Sequence, residues 1–313
     1  MDEARARWRA LADLDPALGP IAAFHDERLA SLRQHPPFDV ALELDAATAA
    51  EAIAAGSPLL GRATLACDPA EIRSELHRLA RNLSETSAAG TPAQESASRL
   101  VNAPLDLAPV LRAALDGDRA TIESAAFASN VDPAAFAQLL ELALQPVLWE
   151  AAGRIAALVD LDRWNRGFCP VCGAWPALAE LVGSERRRVL RCGRCGTGWS
   201  WILLLCPYCG NDDHRTLGTL HEAADDQPSA LGSPEPAAAP AARVDTCERC
   251  HGYLKAITAF ASYPTVRLAA EDVATLHLDV AAQGAGYRRP GDVNVATAGI
   301  PRLVREARPS PDS

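Results

Sequence analysis

The chain has 313 residues, of which 49% are hydrophobic and 22% are charged, so it is long enough for apolar cores and is not disordered throughout. Forty acidic residues against 30 basic ones give a formal net charge of −10, and we therefore expect no nucleic-acid partner. The first eight residues, MDEARARW, lack a basic region leading into an apolar stretch, and no run approaches the roughly 18 apolar residues of a membrane span. We expect a cytoplasmic protein without a membrane span.

Residues 1–163 are predicted to form a helical domain. The segment 68–71, DPAE, is typical of a helix start, with an aspartate N-cap, a proline at the first helical position and a glutamate three residues after the cap. Asp132 and Pro133 repeat this start. The helix that follows is expected to be interrupted at Pro146, where a second helical stretch begins.

Eight of the nine cysteines lie in four Cys-x-x-Cys pairs, here called knuckles 1 to 4, and Cys67 is left over. Two intervening residues allow a tight turn to direct both sulfur atoms at one ion. A glycine after the second cysteine suits a turn that leaves with positive φ; knuckles 1 to 3 have it, whereas knuckle 4 has His251 and then Gly252. Because four disulfides are not expected in a reducing compartment, metal ligation is the leading interpretation.

Four knuckles predict two tetrahedral four-thiolate sites for Zn²⁺ or Fe. Pairing in chain order leaves intervals of 19 residues (173–191) and 37 residues (210–246), each long enough for a hairpin. The alternative joins knuckles 2 and 3 across 10 residues (196–205) and leaves the outer knuckles to each other. In chain order, the predicted ligands are Cys169, Cys172, Cys192 and Cys195 at the first centre, and Cys206, Cys209, Cys247 and Cys250 at the second.

Other roles for the cysteines are less consistent with the pattern. Thioredoxin-like redox motifs would need a strand–helix context that no knuckle has, and one iron–sulfur cluster would leave four cysteines unused. Both metals could be purely structural, holding together a region with little apolar core. The sequence contains no Ser/His/Asp set, phosphate-binding glycine loop or paired carboxylates at catalytic spacing, so we predict that the protein is not an enzyme.

The composition changes at Trp164. Strands are predicted near 188–190 and 199–205, a loose Pro/Ala/Gly-rich insertion at 227–242, a helix from about Tyr253 and another over 270–283. The arginines beside knuckle 2 could be a docking patch for an acidic segment or counter-charges on a solvated face. We divide this half into residues 164–205 and 206–260, each with one four-cysteine site, and 261–313, with the C-terminal helix and a polar tail.

Several of these motifs resemble the FdhE family, the formate dehydrogenase accessory proteins. They are WNRGFCPVCGAWP at 164–176, LRCGRCGTGW at 190–199, CPYCG at 206–210 and CERCHGYLK at 247–255. EDVATLHLD at 271–279, ahead of GYR at 286–288, is similar to the closing helix of that family. The specific match covers about residues 164–288, whereas the first half agrees only in helical character and length.

The resemblance implies a multidomain α+β protein, with a helical N-terminal domain, two rubredoxin-like subdomains and C-terminal helices. It implies two Fe ions, with Zn as the alternative, held by the eight paired cysteines, and no turnover of its own. It further implies a cytoplasmic factor that binds the catalytic subunit of formate dehydrogenase, or of a related molybdenum or tungsten enzyme. A zinc-ribbon adaptor for nucleic acid and a rubredoxin-like electron carrier remain alternatives, and the sequence does not define the oligomeric state.

Overall fold

In the computed structural model, the described residues are 1–35, 38–101, 103, 105–222, 241–290 and 303–305. The chain divides into two compact units. The helical unit comprises Met1–Asp45 and Ala63–Ile155, and the cysteine-rich unit comprises Ala46–Arg62 and Ala156–Ser313. Nothing in the sequence pattern predicts that residues 46–62 belong with the cysteines.

Eight helices lie in the described part of the first 156 residues. They are α1 Asp2–Leu14, α2 Gly19–Gln34, α3 Ala46–Ala55, α4 Pro69–Thr86, α5 Pro92–Val101, α6 Leu107–Asp116, α7 Arg119–Ala128 and α8 Pro133–Ala156. All except α3 lie in the helical unit, where α4 packs against α2, α5 and α6. Buried side chains such as Trp8, Leu29, Leu76 and Phe136 form its apolar core.

Both predicted helix starts are confirmed. The Asp68 carboxylate accepts the N–H of Ala70 at 2.8 Å at the start of α4, and the Asp132 carboxylate accepts the N–H of Ala135 at 2.8 Å at the start of α8. Between α2 and α4 the structure also has an antiparallel pair that the sequence analysis did not predict, β1 Val40–Glu43 with β2 Thr64–Cys67.

The predicted interruption at Pro146 is wrong, because α8 continues through this proline. Proline has no N–H for the carbonyl of residue 142, four positions earlier. The buried guanidinium of Arg28 takes over that role: its Nη2 donates to the Leu142 carbonyl at 2.9 Å and to Gln145 Oε1 at 3.0 Å. A contact more than 100 residues away in sequence therefore satisfies the carbonyl that the proline leaves without a partner.

The cysteine-rich unit contains a seven-stranded sheet within the described residues. Its strands are β3 Pro176–Val182, β4 Arg187–Cys192, β5 Gly198–Ser200, β6 Leu217–Glu222, β7 Ala242–Cys247, β8 Tyr253–Ala259 and β9 Leu303–Arg305. The strand order is β5-β4-β3-β8-β7-β6-β9, and every pair is antiparallel except β3 with β8.

The sheet is built from two repeats of one unit, in the order knuckle, strand, strand, knuckle, strand. Knuckles 1 and 2 belong with β3, β4 and β5, and knuckles 3 and 4 belong with β6, β7 and β8. The parallel pair β3 and β8 joins the first strand of one repeat to the last strand of the other. The repeats therefore lie side by side in one continuous sheet.

Two strand assignments correct the sequence analysis. The helix predicted from about Tyr253 is wrong, since residues 253–259 are β8, where Tyr253 and Lys255 both lie buried beneath the C-terminal helices. The strand predicted over 199–205 ends at Ser200, and residues 201–205 form a loop. Residues 227–240 of the predicted insertion, and the tail from Arg302 apart from residues 303–305, lie outside the described residues.

The helix predicted over 270–283 consists of two short helices, α9 Leu268–Ala274 and α10 Leu276–Gly284. Helix α10 packs on β7 and β8, where Leu278 and Ala282 share a core with Val244 and Tyr253. None of the described helices is long and apolar enough for a membrane span. The predicted fold class is confirmed, whereas its internal boundaries after residues 163, 205 and 260 stay predictions.

Replacing Arg28 with Met is expected to lower the free energy of unfolding of the helical unit by about 1–3 kcal/mol, because the buried Leu142 carbonyl loses its donor. The loss should be smaller when Pro146 is also replaced by Ala, since the new backbone N–H can bond the same carbonyl. Urea denaturation followed by circular dichroism measures both. Arg33→Met on the exposed side of the same helix is the control, and equal losses with and without Pro146→Ala would contradict the assignment.

Candidate metal centres

All four knuckles form the same backbone turn. In each, the N–H of the first cysteine donates to the carbonyl of the residue five positions later, at 2.8–2.9 Å. These bonds join Cys169 to Ala174, Cys192 to Thr197, Cys206 to Asn211 and Cys247 to Gly252. The turn folds the chain back at once, so the two sulfur atoms of a knuckle point to the same side.

The residue after the second cysteine has a positive φ in every knuckle. The angle is 76° at Gly173 and Gly196, 68° at Gly210 and 53° at His251. A histidine therefore adopts in knuckle 4 the left-handed conformation for which knuckles 1 to 3 use glycine. His251 is not among the grouped metal-ligand atoms, so its role in the described structure is that of a turn residue.

The eight sulfur atoms form two groups, and the grouping follows chain order. The first group contains Cys169, Cys172, Cys192 and Cys195, and the second contains Cys206, Cys209, Cys247 and Cys250. The sulfur atoms of each group lie within 4.8 Å of one another. The predicted pairing of knuckle 1 with 2 and of knuckle 3 with 4 is thus the observed arrangement, and the alternative across residues 196–205 is wrong.

The spacing of the sulfur atoms suits a tetrahedral ion. The Sγ–Sγ distances are 3.5 Å for Cys169–Cys195, 3.4 Å for Cys172–Cys192, 3.7 Å for Cys206–Cys250 and 3.8 Å for Cys209–Cys247. Four sulfurs at about 2.3 Å from a central ion are about 3.8 Å apart. A disulfide needs about 2.05 Å, so these contacts are not disulfides. The four-thiolate donor sets fit Zn²⁺ or Fe, and either cluster could hold a metal ion.

Antiparallel hairpins bring the knuckles together. In the first repeat, Pro176 at the start of β3 lies opposite Cys192 at the end of β4. In the second, Leu217 at the start of β6 lies opposite Cys247 at the end of β7. The knuckle before each hairpin is thus placed beside the knuckle after it. Chain-order pairing is therefore a direct consequence of the hairpin register.

The first centre is enclosed. Cys169, Cys192 and Cys195 are each at most 2% exposed, and Cys172 is half-buried. The Thr197 hydroxyl lies 3.1 Å from Cys195 Sγ, and Arg191 donates to the Gly196 carbonyl at 3.2 Å. The sequence analysis did not assign Thr197 to a site. The feature that could have indicated its role is its position, because it is a polar residue two positions after the second cysteine of a knuckle.

The second centre is more open. Cys206 and Cys247 are buried, whereas Cys209 and Cys250 are exposed among the described residues. Asn211, two residues after knuckle 3, donates from Nδ2 to Cys247 Sγ at 3.5 Å. Donors of this kind orient metal-ligating side chains and stabilise their negative charge.

A buried polar network connects the second centre to the C-terminal helices. The Tyr208 hydroxyl, inside knuckle 3, donates to the Tyr253 carbonyl at 2.9 Å, and the Tyr253 hydroxyl donates to Asp279 at 2.9 Å. Lys255, fully buried, contacts Asp279 at 2.5 Å and Asp272 at 2.7 Å. The sequence analysis did not assign these residues to a site. Tyr253 and Lys255 are two positions apart on β8, so their side chains lie on the same face of the strand.

The arginines beside knuckle 2 do not behave as one surface patch. Arg188 and Arg191 are buried in ion pairs with Asp245 at 3.1 Å and Glu180 at 2.7 Å, so neither is a docking residue. The Glu180 side chain is fully buried, and its Oε1 also accepts the N–H of Tyr263 at 3.0 Å. The pair therefore ties the strand before knuckle 2 to the chain that follows β8.

Burial also sets the chemistry of the thiols when no metal is bound. It raises the pKa of the Cys206 thiol above its ordinary value of 9.0, and it raises the pKa of Cys250 to about 11. Backbone N–H groups of the knuckles act in the opposite direction on both sulfurs. These thiols are therefore protonated at neutral pH in the metal-free chain, and an ion that binds must displace their protons.

Comparisons with known proteins agree with this architecture. The model of the family "FdhE, C-terminal domain" matches residues 224–295. A protein FdhE homolog of Shewanella baltica is 32% identical over 125 residues, which cover 39% of this chain and 36% of that protein. A protein FdhE homolog of Pseudomonas aeruginosa is 31% identical over 209 residues, which cover 64% of this chain and 62% of that protein.

The matched segments thus span from about a third to less than two thirds of these curated relatives. The crystal structure of the FdhE protein from Pseudomonas aeruginosa has the same fold, with a TM-score of 0.54 and 22% identity over 95% of each chain. Fold and cysteine groups define an α+β protein with twin four-cysteine ribbons. Within that class, the family model and these relatives show that the chain is similar to FdhE proteins over part of its length.

Two glycine substitutions separate the backbone requirement of the knuckle from its packing. Gly210→Ala should lower the free energy of unfolding by about 1–2 kcal/mol, because φ is positive there but a Cβ atom would meet nothing within 4 Å. Gly196→Ala should cost more, because its Cβ would lie 2.0 Å from Thr265 Cγ2. Thermal unfolding of the zinc-loaded variants measures both, and equal losses would contradict the packing argument.

Zinc binding is expected to release protons and to reverse the pH dependence of stability. At neutral pH an ion that binds the second centre should displace at least the protons of Cys206 and Cys250, measurable with a pH indicator in weak buffer. Because the pKa values of Cys206 and Cys250 are raised in the folded chain, these two thiols should contribute stability below pH 9 that is lost as the pH rises toward 11, while the lowered pKa of Cys247 acts in the opposite direction. The zinc-loaded chain should instead lose stability on acidification. Binding without proton release would contradict this assignment.

Proposed function

We propose that the protein is an accessory factor for a formate dehydrogenase, which it binds in the cytoplasm through the catalytic subunit before that enzyme becomes active. The similarity to FdhE proteins over part of the chain, together with the eight cysteines in two groups, supports this proposal. The eight paired cysteines are proposed as the metal ligands. A related molybdenum or tungsten enzyme is the alternative target.

Iron is the proposed ion at both centres, with zinc as the alternative. A four-thiolate iron supplies a one-electron couple when bound, whereas zinc supplies only a cross-link. In this chain, the knuckle amides, Thr197 and Asn211 stabilise thiolate charge, and the hairpins keep the sulfurs at tetrahedral spacing. Each group already offers four sulfur ligands, and such closed coordination supports a role other than catalysis.

An exposed apolar loop supports partner binding. Residues 201–205, here the leucine loop, connect β5 to knuckle 3. Ile202, Leu203 and Leu204 are 68%, 47% and 55% exposed. Exposed apolar side chains that lie together usually mark interaction sites. We propose that these side chains contact the catalytic subunit.

The backbone of the leucine loop is held rigidly. Nη1 of buried Arg188 donates to the carbonyls of Leu203 and Leu205, both at 3.2 Å, while its Nη2 pairs with Asp245 at 3.1 Å. The Trp201 indole donates to the Leu205 carbonyl at 2.9 Å. A loop fixed in this way loses little conformational entropy when a partner covers it, which favours binding.

An anaerobic pull-down of the tagged protein from its own cells, followed by mass spectrometry, tests the proposal. Recovery of a formate dehydrogenase catalytic subunit is expected. Leu203→Asp should reduce that recovery by about tenfold, because it places a charge in the contact. Phe127→Asp is the matched control, since Phe127 is also apolar and 70% exposed but lies in the helical unit.

Each result of the pull-down has a definite meaning. Loss of the subunit with Phe127→Asp but not with Leu203→Asp would overturn the leucine loop as the contact. Recovery of nucleic acid or transcription machinery instead of the subunit would overturn the accessory role and favour a zinc-ribbon adaptor. The metal content of the purified protein distinguishes iron from zinc.

A further inference from the structure

We infer that the two centres differ in function: the second centre exchanges its metal with incoming sulfur or nitrogen ligands, whereas the first centre is covered on two sides and retains its metal. This inference rests on the proposed metal binding by the eight cysteines. It follows from a contrast in the surroundings of two sulfur groups whose knuckle turns are alike.

One side of the first centre is covered by the segment that lies between α3 and β2. The N–H groups of Leu59 and Leu60 donate to the carbonyls of Pro170 and Val171, both inside knuckle 1, at 2.9 Å. The Pro58 ring lies against Gly173, where an added Cβ would be 3.1 Å from it. Residues far away in sequence thus form two backbone hydrogen bonds across the knuckle.

The other side is covered by the chain that follows β8. Thr265 packs so closely on Gly196 that only a residue without a side chain fits there. The buried Arg191 bonds both the Gly196 carbonyl and the Tyr263 carbonyl, at 3.2 Å and 2.9 Å. Knuckle 2 is therefore held against a second segment, and an incoming ligand has no direct approach to its sulfur atoms.

The second centre is open by comparison. Cys209 and Cys250 are exposed among the described residues, and Cys206 and Cys247 are among the residues that line a cavity of about 530 Å³. A cavity of this size admits small molecules as well as a side chain of another protein. An incoming ligand can therefore reach this centre on the side of the exposed Cys209 and Cys250.

The exchange that this geometry allows involves no oxidation. An incoming thiolate or pyridine nitrogen bonds to the metal ion while one cysteine sulfur leaves and takes up a proton from water. Repetition of this step transfers the ion to the new ligand and leaves four thiols. The exposed Cys209 and Cys250 are the sulfurs expected to leave first. At the first centre, the covering segments would have to open before the first step.

Zinc release from the full-length protein tests the inference. The chain is loaded with zinc, its content is measured, and 4-(2-pyridylazo)resorcinol is added as the competing chelator. One equivalent should be released faster than the other by about tenfold or more, the scale on which outer contacts alter metal affinity. At the end of the fast phase, N-ethylmaleimide and peptide mass spectrometry should detect adducts at the second centre. The expected adduct sites are Cys206, Cys209, Cys247 and Cys250.

A pair of mild variants gives an independent check without removing a ligand. Thr197→Val removes the hydroxyl beside Cys195 and should speed up only the slow phase. Asn211→Leu removes the amide beside Cys247 and should speed up only the fast phase. If the two variants affect the opposite phases, the assignment of the centres is wrong.

The remaining outcomes separate this inference from the proposed function. If two equivalents of zinc bind and leave in a single phase, the contrast between the centres is refuted while the metal sites stand. Adducts that form first at the first centre refute it as well. If the chain retains no zinc, both the ligand assignment and the inference fail.

Discussion

The antiparallel hairpin is the constraint on which the cysteine-rich unit depends. It returns the chain to its starting edge, so that a knuckle before the first strand meets a knuckle after the second. The turn within each knuckle then needs one residue with positive φ, which fixes the direction of both sulfur atoms. Neither requirement depends on contacts that are distant in sequence, so each repeat can form its site from its own strands and turns.

Duplication of this hairpin unit explains the sheet as a whole. Each repeat contributes three antiparallel strands, and the two repeats meet at the parallel pair of β3 and β8. The joint has a consequence for the environment of the sites, because the chain leaving β8 of the second repeat runs to the first centre and covers it. The repeats are alike in backbone, and their differences arise from what packs over them.

Features that are local in sequence could be predicted, and features that depend on distant contacts could not. The four knuckles and the aspartate–proline helix starts are encoded within a few residues, so their patterns sufficed. The helix interruption predicted at Pro146 is wrong because Arg28, over 100 residues away, donates to the Leu142 carbonyl in place of the N–H that proline lacks. The helix predicted from about Tyr253 is wrong because β8 is buried on both faces, so its sequence lacks the alternation of apolar and polar residues that indicates a strand. The association of residues 46–62 with knuckle 1 has no sequence signature.

The burial of Lys255 has a practical consequence for the capture of a partner. It is the only lysine of the chain, and its ammonium group is enclosed by carboxylates beneath the C-terminal helices. The folded surface therefore presents no lysine to reagents that couple through primary amines. Cross-linkers that couple primary amines would therefore find no reactive lysine side chain on this protein in a complex, and only its α-amino group would remain for them, even if the partner is rich in lysine. Carbodiimide coupling of its many surface carboxylates to the amines of the partner offers a route that the composition favours.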